Sequence, residues 1–111
     1  MPGTAWLLVL LAVAAEVTGT LALRASEGFS RLWPSVLMVA GYAVAFYLLA
    51  QSLRTLGVGP VYATWAGLGT VGAALGGYLL FSERLTPLTV AGMAIVVLGV
   101  TVMSIGGAGH A

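Results

Sequence analysis

The chain has no cysteine and no lysine, one histidine, and so few charges that arginine and glutamate together make up 6% of its 111 residues. Without cysteine, neither a disulfide nor a thiolate metal site is available. His110, in the tail Gly-Gly-Ala-Gly-His-Ala, reads as solvated and inert. Metal clusters, glycine-rich phosphate loops and catalytic triads find no residues to be built from, so neither a cofactor nor an enzyme activity is expected. A net charge of +1 supplies no basic surface for nucleic acid. What the chain has in abundance is apolar surface: 60% of it is hydrophobic and its mean hydropathy is +1.09. A soluble domain or soluble enzyme of this size does not have that composition.

The charges punctuate the chain. Arg24, Glu27 and Arg31 form one cluster, Arg54 stands alone, and Glu83 and Arg84 are adjacent, so four apolar blocks remain: Thr4 to Leu23, Trp33 to Leu53, Gly59 to Phe81 and Thr86 to Ile105. A membrane crossing needs about 20 residues, so four crossings and three short loops consume nearly the whole chain. The expected fold is therefore an all-α membrane protein with one four-helix transmembrane domain over residues 1–111. Pro34, Pro60 and Pro87 fall at block starts, where a first-turn residue has no intrahelical partner for its missing N–H. A secretory signal peptide fits the first block poorly, since Met1 to Thr4 carry no basic side chain and Glu16 interrupts the apolar core. Trp6 and Trp33 lie near helix ends and read as interfacial belt residues. Arg24, Arg31 and Arg84 share one side of the membrane against Arg54 on the other, a small excess that favours a cytoplasmic position for loops one and three and leaves insertion in both orientations open.

Glu16 is the only charged residue between Met1 and Leu23. A carboxylate inside a membrane-length apolar run is costly, and the default reading is functional. Its neighbours on the same helical face are Ala12, Val13, Gly19 and Thr20. Small residues leave space beside the acid and Thr20 offers a hydroxyl, which describes one wall of a cavity. A plain packing face would also use small residues, but it would not require an acid.

The third block adds Tyr62 and Trp65, three apart and on one face, with Gly67 and Gly69 weakening the helix beyond them as a hinge. Aromatic faces next to an acid suit a bulky, weakly hydrated organic cation; Trp65, about two turns into the block, also reads as a belt residue. Gly72 and Gly76 have the spacing of a close helix contact. Tyr42, Phe46 and Leu49 recur at helical spacing on the second block and line the same chamber or serve ordinary packing. The fourth block has neither acid nor aromatic ring; Gly92, Val96 and Gly99 share a face suited to helix association and are assigned to oligomerisation. Four short helices barely enclose a water-accessible chamber, and this chain contains no second repeat. Two copies inserted in opposite orientations would supply an inverted pair.

Three runs, Ala15-Glu16-Val17-Thr18-Gly19-Thr20, Ser26-Glu27-Gly28-Phe29-Ser30-Arg31-Leu32-Trp33-Pro34-Ser35 and Tyr62-Ala63-Thr64-Trp65-Ala66-Gly67-Leu68-Gly69, resemble the small multidrug resistance transporters. The likeness extends over essentially the whole chain. It implies a proton-coupled antiporter of the bacterial inner membrane, working as an antiparallel homodimer or with a paired homologous chain. It makes Glu16 the shared proton and substrate carboxylate, Tyr42, Tyr62 and Trp65 binding-site aromatics, and Gly92 with Gly99 the fourth-helix dimer contact. The family's guanidinium-exporting subgroup carries a tryptophan three residues after the acid. Gly19 stands there instead, so the chain is more similar to the quaternary-ammonium and multidrug subgroup. Ala66 departs from a frequent serine, and Arg24 stands where a lysine is common. The readings are thus an exporter of hydrophobic cations, an exporter of guanidinium or another small polar metabolite, and a non-transporting accessory subunit, against which the buried acid counts.

Overall fold

A computed structural model describes residues 2–108; His110 lies outside them. Four helices follow in order: α1 (Pro2–Ala25), α2 (Leu32–Ser52), α3 (Val58–Phe81) and α4 (Pro87–Ala108). All four are long and apolar enough to cross a membrane. Their starts follow from the sequence: α2 begins after Arg31 and α3 after Gly57, both with extended backbone, and Pro34, Pro60 and Pro87 all fall in the first turn. The end of α3 is set by Ser82, which adopts a left-handed conformation (φ 57°), while the next residue, Glu83, donates its N–H back to the Gly77 carbonyl at 3.2 Å.

The first loop is organised by a buried serine. Ser26 Oγ donates to the Leu23 carbonyl at 2.7 Å and accepts from the Phe29 N–H at 3.0 Å. The Ser26 carbonyl accepts from the amides of Ser30 and Arg31. These bonds close the chain on itself through three successive left-handed residues, Glu27, Gly28 and Phe29 (φ 50°, 73° and 67°), and reverse its direction within a few residues.

In the packing, α1 is central. It lies along α2 over the most extensive contact and along α3 over a smaller one, while α4 packs mainly on α3. The result is a slab of 45 × 34 × 17 Å. A body this thin buries few side chains: Val9, Val13 and Val61 form the core, with Trp6, Val17, Leu49, Leu56, Trp65 and Leu68 packed around them. Trp6 is thus not a free belt residue, because its ring is half-buried against this cluster; Trp33, 79% exposed, has the position expected of one. Leucine, isoleucine and valine side chains left outside suit hydrocarbon as solvent.

Missing Cβ atoms fix the helix contacts. Where α1 crosses α2, a Cβ on Gly41 would stand 2.9 Å from the Ala15 carbonyl oxygen and 3.2 Å from Gly19 Cα, so backbone meets backbone. Along α1 and α3, Gly72 receives Val17 and Gly76 receives Leu21, which gives the Gly72 to Gly76 spacing a definite partner. Both helices run in the same direction along this seam.

Candidate functional site

Glu16 lies two-thirds of the way along α1, half-buried where α1 meets both α2 and α3. Ala12 and Gly19 beside it are buried. A Cβ on Gly69 of α3 would stand 3.1 Å from Glu16 Oε2, so the absence of a side chain there admits the carboxylate. Thr20, one turn on, donates its hydroxyl to Glu16 Oε1 at 2.8 Å, and its oxygen lies 2.7 Å from the Tyr42 hydroxyl on α2. With the Thr20 proton committed to the carboxylate, the Tyr42 phenol is the donor to Thr20. A three-member chain, Tyr42 to Thr20 to Glu16, therefore ties α2 to the acid. Among the described residues, no arginine pairs with Glu16; the ion pair present joins Arg24 to Glu83.

An aromatic wall continues from Tyr42. Its ring meets Phe46 edge-on at 6.4 Å, and Phe46 meets Trp65 of α3 at 5.4 Å with the planes tilted by 31°. Both separations suit favourable aromatic pairs. Trp65 is half-buried and packs on the core as well as on Phe46. Phe46 is 59% exposed, so the wall has an open side. Tyr62 does not join it within one chain: the ring stands 66% exposed and makes no aromatic pair among the described residues. The geometry thus gathers Glu16, Ala12, Gly19, Thr20, Tyr42, Phe46 and Trp65 and leaves Tyr62 on the rim.

Gly67 and Gly69 sit within an unbroken α3 helix. Gly69 makes room for the acid, whereas Gly67 receives Val100 and Val96 of α4. Val96 thus contacts α3 of its own chain while remaining partly exposed. The reason is local: α4 must seat a side chain in the notch at Gly67, and Val96 and Val100 lie one turn apart on that face. Gly92 and Gly99 have open space within 4 Å of where a Cβ would be. A groove of about 440 Å³ lies between α1, α3 and α4, lined by Trp6, Thr64, Leu68, Val100 and Ser104 among others. It contains no charge and is separate from Glu16. Thr64 lines it, and its Oγ1 is buried without a hydrogen-bond partner.

Two features were not read from the sequence. One is Gly41, the α2 partner of Gly19, which a search for small residues at one spacing from Ala15 and Gly19 would have raised. The other is the Tyr42–Thr20 contact, which joins residues 22 apart and has no signature in either segment.

The four helices define a multi-pass membrane protein, and α1 carries a single carboxylate within an apolar span beside an aromatic wall with an open side. The profile of the family described as "Small Multidrug Resistance protein" matches residues 4–96. The chain is 40% identical to the quaternary ammonium compound-resistance protein QacE of Escherichia coli over 90% of its own length and 91% of the relative's. It is 41% identical to the guanidinium exporter of Escherichia coli K12, over 86% and 90% of the two chains. It is 45% identical to NepA of Paenarthrobacter nicotinovorans, named as a nicotine metabolites export pump subunit, over 92% and 88%. The chain belongs to the small multidrug resistance family, and it is a multi-pass protein of the bacterial inner membrane.

Proposed function

We propose that the protein exports bulky hydrophobic or quaternary-ammonium cations in exchange for protons, both ligands using Glu16. The observation that carries this is the acid itself: a half-buried carboxylate in an apolar span, hydrogen-bonded by Thr20 and without a basic partner among the described residues. An ionised carboxylate so placed is poorly compensated. A proton removes the charge, and a lipophilic cation balances it, so the two compete. The cation's apolar groups lie on the wall formed by Tyr42, Phe46 and Trp65, whose π-faces favour positive charge. If the helices rearrange readily only when the acid is occupied, protons entering from the acidic side drive cations outward.

The second wall of the chamber is a second copy inserted in the opposite orientation. A slab 17 Å thick with Phe46 and Tyr62 largely exposed encloses only half a site. An antiparallel pair places two Glu16 side chains, two aromatic walls and two Tyr62 rims around one cation, and the weak arginine bias permits both insertions. The open faces of Gly92 and Gly99 are the α4 surface for that pairing. The whole chain acts as one four-helix unit in this reading, with Gly67 and Gly69 as the positions where α3 yields. A related chain in place of the second copy is the alternative, since the relative NepA is named as a subunit.

Relatives named for quaternary ammonium and for guanidinium are about equally similar, so identity does not choose between them. The packing around Gly19 favours the bulky cation. A Cβ there would stand 2.7 Å from the Tyr42 ring, so Tyr42 already fills the space that a tryptophan at this position would need. The large aromatic group next to Gly19 is thereby supplied by α2, one helix away from the acid.

The deciding experiment is binding of tetraphenylphosphonium and of guanidinium to purified protein across pH, with Glu16→Gln as control. Tetraphenylphosphonium binding that weakens as pH falls and disappears in the variant supports the reading. Binding of guanidinium alone moves the protein to the small-cation class, and unchanged, pH-dependent binding in Glu16→Gln refutes the shared-carboxylate mechanism.

A further inference from the structure

The α1–α3 seam begins at the acid and ends in an ion pair. From Glu16 against Gly69 it passes through Val17 at Gly72 and Leu21 at Gly76. It then reaches Arg24, whose Nε donates to Glu83 Oε2 at 3.3 Å. The Arg24 guanidinium also lies over the Phe81 ring, 4.8 Å from its centroid. The placement of Glu83 is built by the chain around it. Left-handed Ser82 turns the backbone back, the Glu83 amide bonds to Gly77, and the Glu83 carboxylate lies in the space where Gly77 lacks a side chain. A carboxylate folded onto a helix C-terminus is electrostatically unfavourable. Arg24, on the last turn of α1, supplies the opposite charge that holds it there.

We propose that Arg24 and Glu83 form a clasp that holds the end of the α1–α3 seam shut and sets how fast this end of the Glu16 site opens during turnover. The inference rests on reading Glu16 as the transport carboxylate. Both partners are about half exposed (55% and 51%), which suits a contact that must break and reform in each cycle. A fully buried pair would resist opening too strongly.

The test uses the full chain in lipid nanodiscs with Glu83→Gln, Arg24→Lys and the exchange Arg24→Glu with Glu83→Arg. The exchange keeps the number of arginines on that membrane face, so topology is not altered with the clasp. Amide hydrogen exchange is read over residues 22–26 and 78–83, together with proton-driven tetraphenylphosphonium turnover and equilibrium affinity. For an exposed pair the expected change is about two- to fivefold: faster amide exchange and faster turnover in Glu83→Gln, affinity within about twofold, an intermediate effect in Arg24→Lys, and return toward wild type in the exchanged pair. Wild-type behaviour in both single variants overturns the proposal, as does an exchanged pair no different from Glu83→Gln. Should wild-type protein neither bind nor transport the cation, the transport reading fails and amide exchange alone still decides whether the clasp exists.

Discussion

Replacing Gly41 by alanine tests the account of how α1 and α2 position the site. The added methyl would lie 2.9 Å from the Ala15 carbonyl oxygen and 3.2 Å from both Cα and N of Gly19. Carbon and carbonyl oxygen pack at about 3.3 Å or more, and all three obstructing atoms are backbone, so no rotamer change relieves the clash. The helix α2 must withdraw by roughly half an ångström. Overpacking of this kind costs about 1–3 kcal/mol, against a gain of about 1 kcal/mol from replacing glycine within a helix. The expected net result is a loss of up to about 2 kcal/mol. Gly92→Ala is the matched control, because nothing in its own chain lies near the added methyl. In purified, delipidated protein unfolded by titration with dodecyl sulfate, Gly41→Ala should unfold earlier than wild type. Withdrawal of α2 also draws Tyr42 from Thr20, so cation affinity should fall with stability. A Gly41→Ala protein as stable as wild type and unchanged in affinity would refute the backbone-on-backbone contact.

Four other outcomes are expected. Tyr42→Phe removes the hydroxyl that anchors Thr20 and keeps the ring, and should weaken cation binding by about 0.5–1.5 kcal/mol, roughly two- to tenfold, as measured by titration calorimetry. Gly19→Trp should narrow the cation range in a growth-protection panel by displacing the Tyr42 ring, and Tyr42→Ala in the same chain should widen it again. Thr64→Val replaces a buried hydroxyl without a partner by a methyl of similar size and should stabilise the protein by about 1 kcal/mol or more in the same unfolding assay. Tetraphenylphosphonium affinity should fall as pH is lowered, since protonated Glu16 no longer attracts a cation; an affinity independent of pH in wild type would contradict competition at the acid.

The sequence reveals some of this directly and some not at all. Four apolar blocks separated by arginines were legible because hydrophobic length is a local property, and Glu16 stood out because a lone charge in such a block has no ordinary role. The expectation that Thr20 would partner the acid depended only on helical spacing. Side-chain direction between helices was less accessible. Val96 shares a face with Gly92 and Gly99 in the helical projection, but its contact with the notch at Gly67 could not be read from α4 alone, because that notch lies on another helix. Trp6 had the position of an interfacial residue and instead covers Val9, Val13 and Val61. The Tyr42 link to Thr20 and the Arg24 link to Glu83 join segments whose spacing carries no pattern; only the fold brings them together.

The attachment of α4 divides the labour within the chain. Among the described residues, the polar contacts of the acid site belong to α1 and α2 and α3 makes room with Gly69, while α4 leans chiefly on α3, with Val96 and Val100 at Gly67. The fourth helix therefore reaches the acid chiefly by way of α3, whose Gly67 seats α4 and whose Gly69, half a turn on, admits Glu16. Changes at Gly92 and Gly99 leave the packing within the chain intact, so whatever they alter is felt through what lies against the outer face of α4.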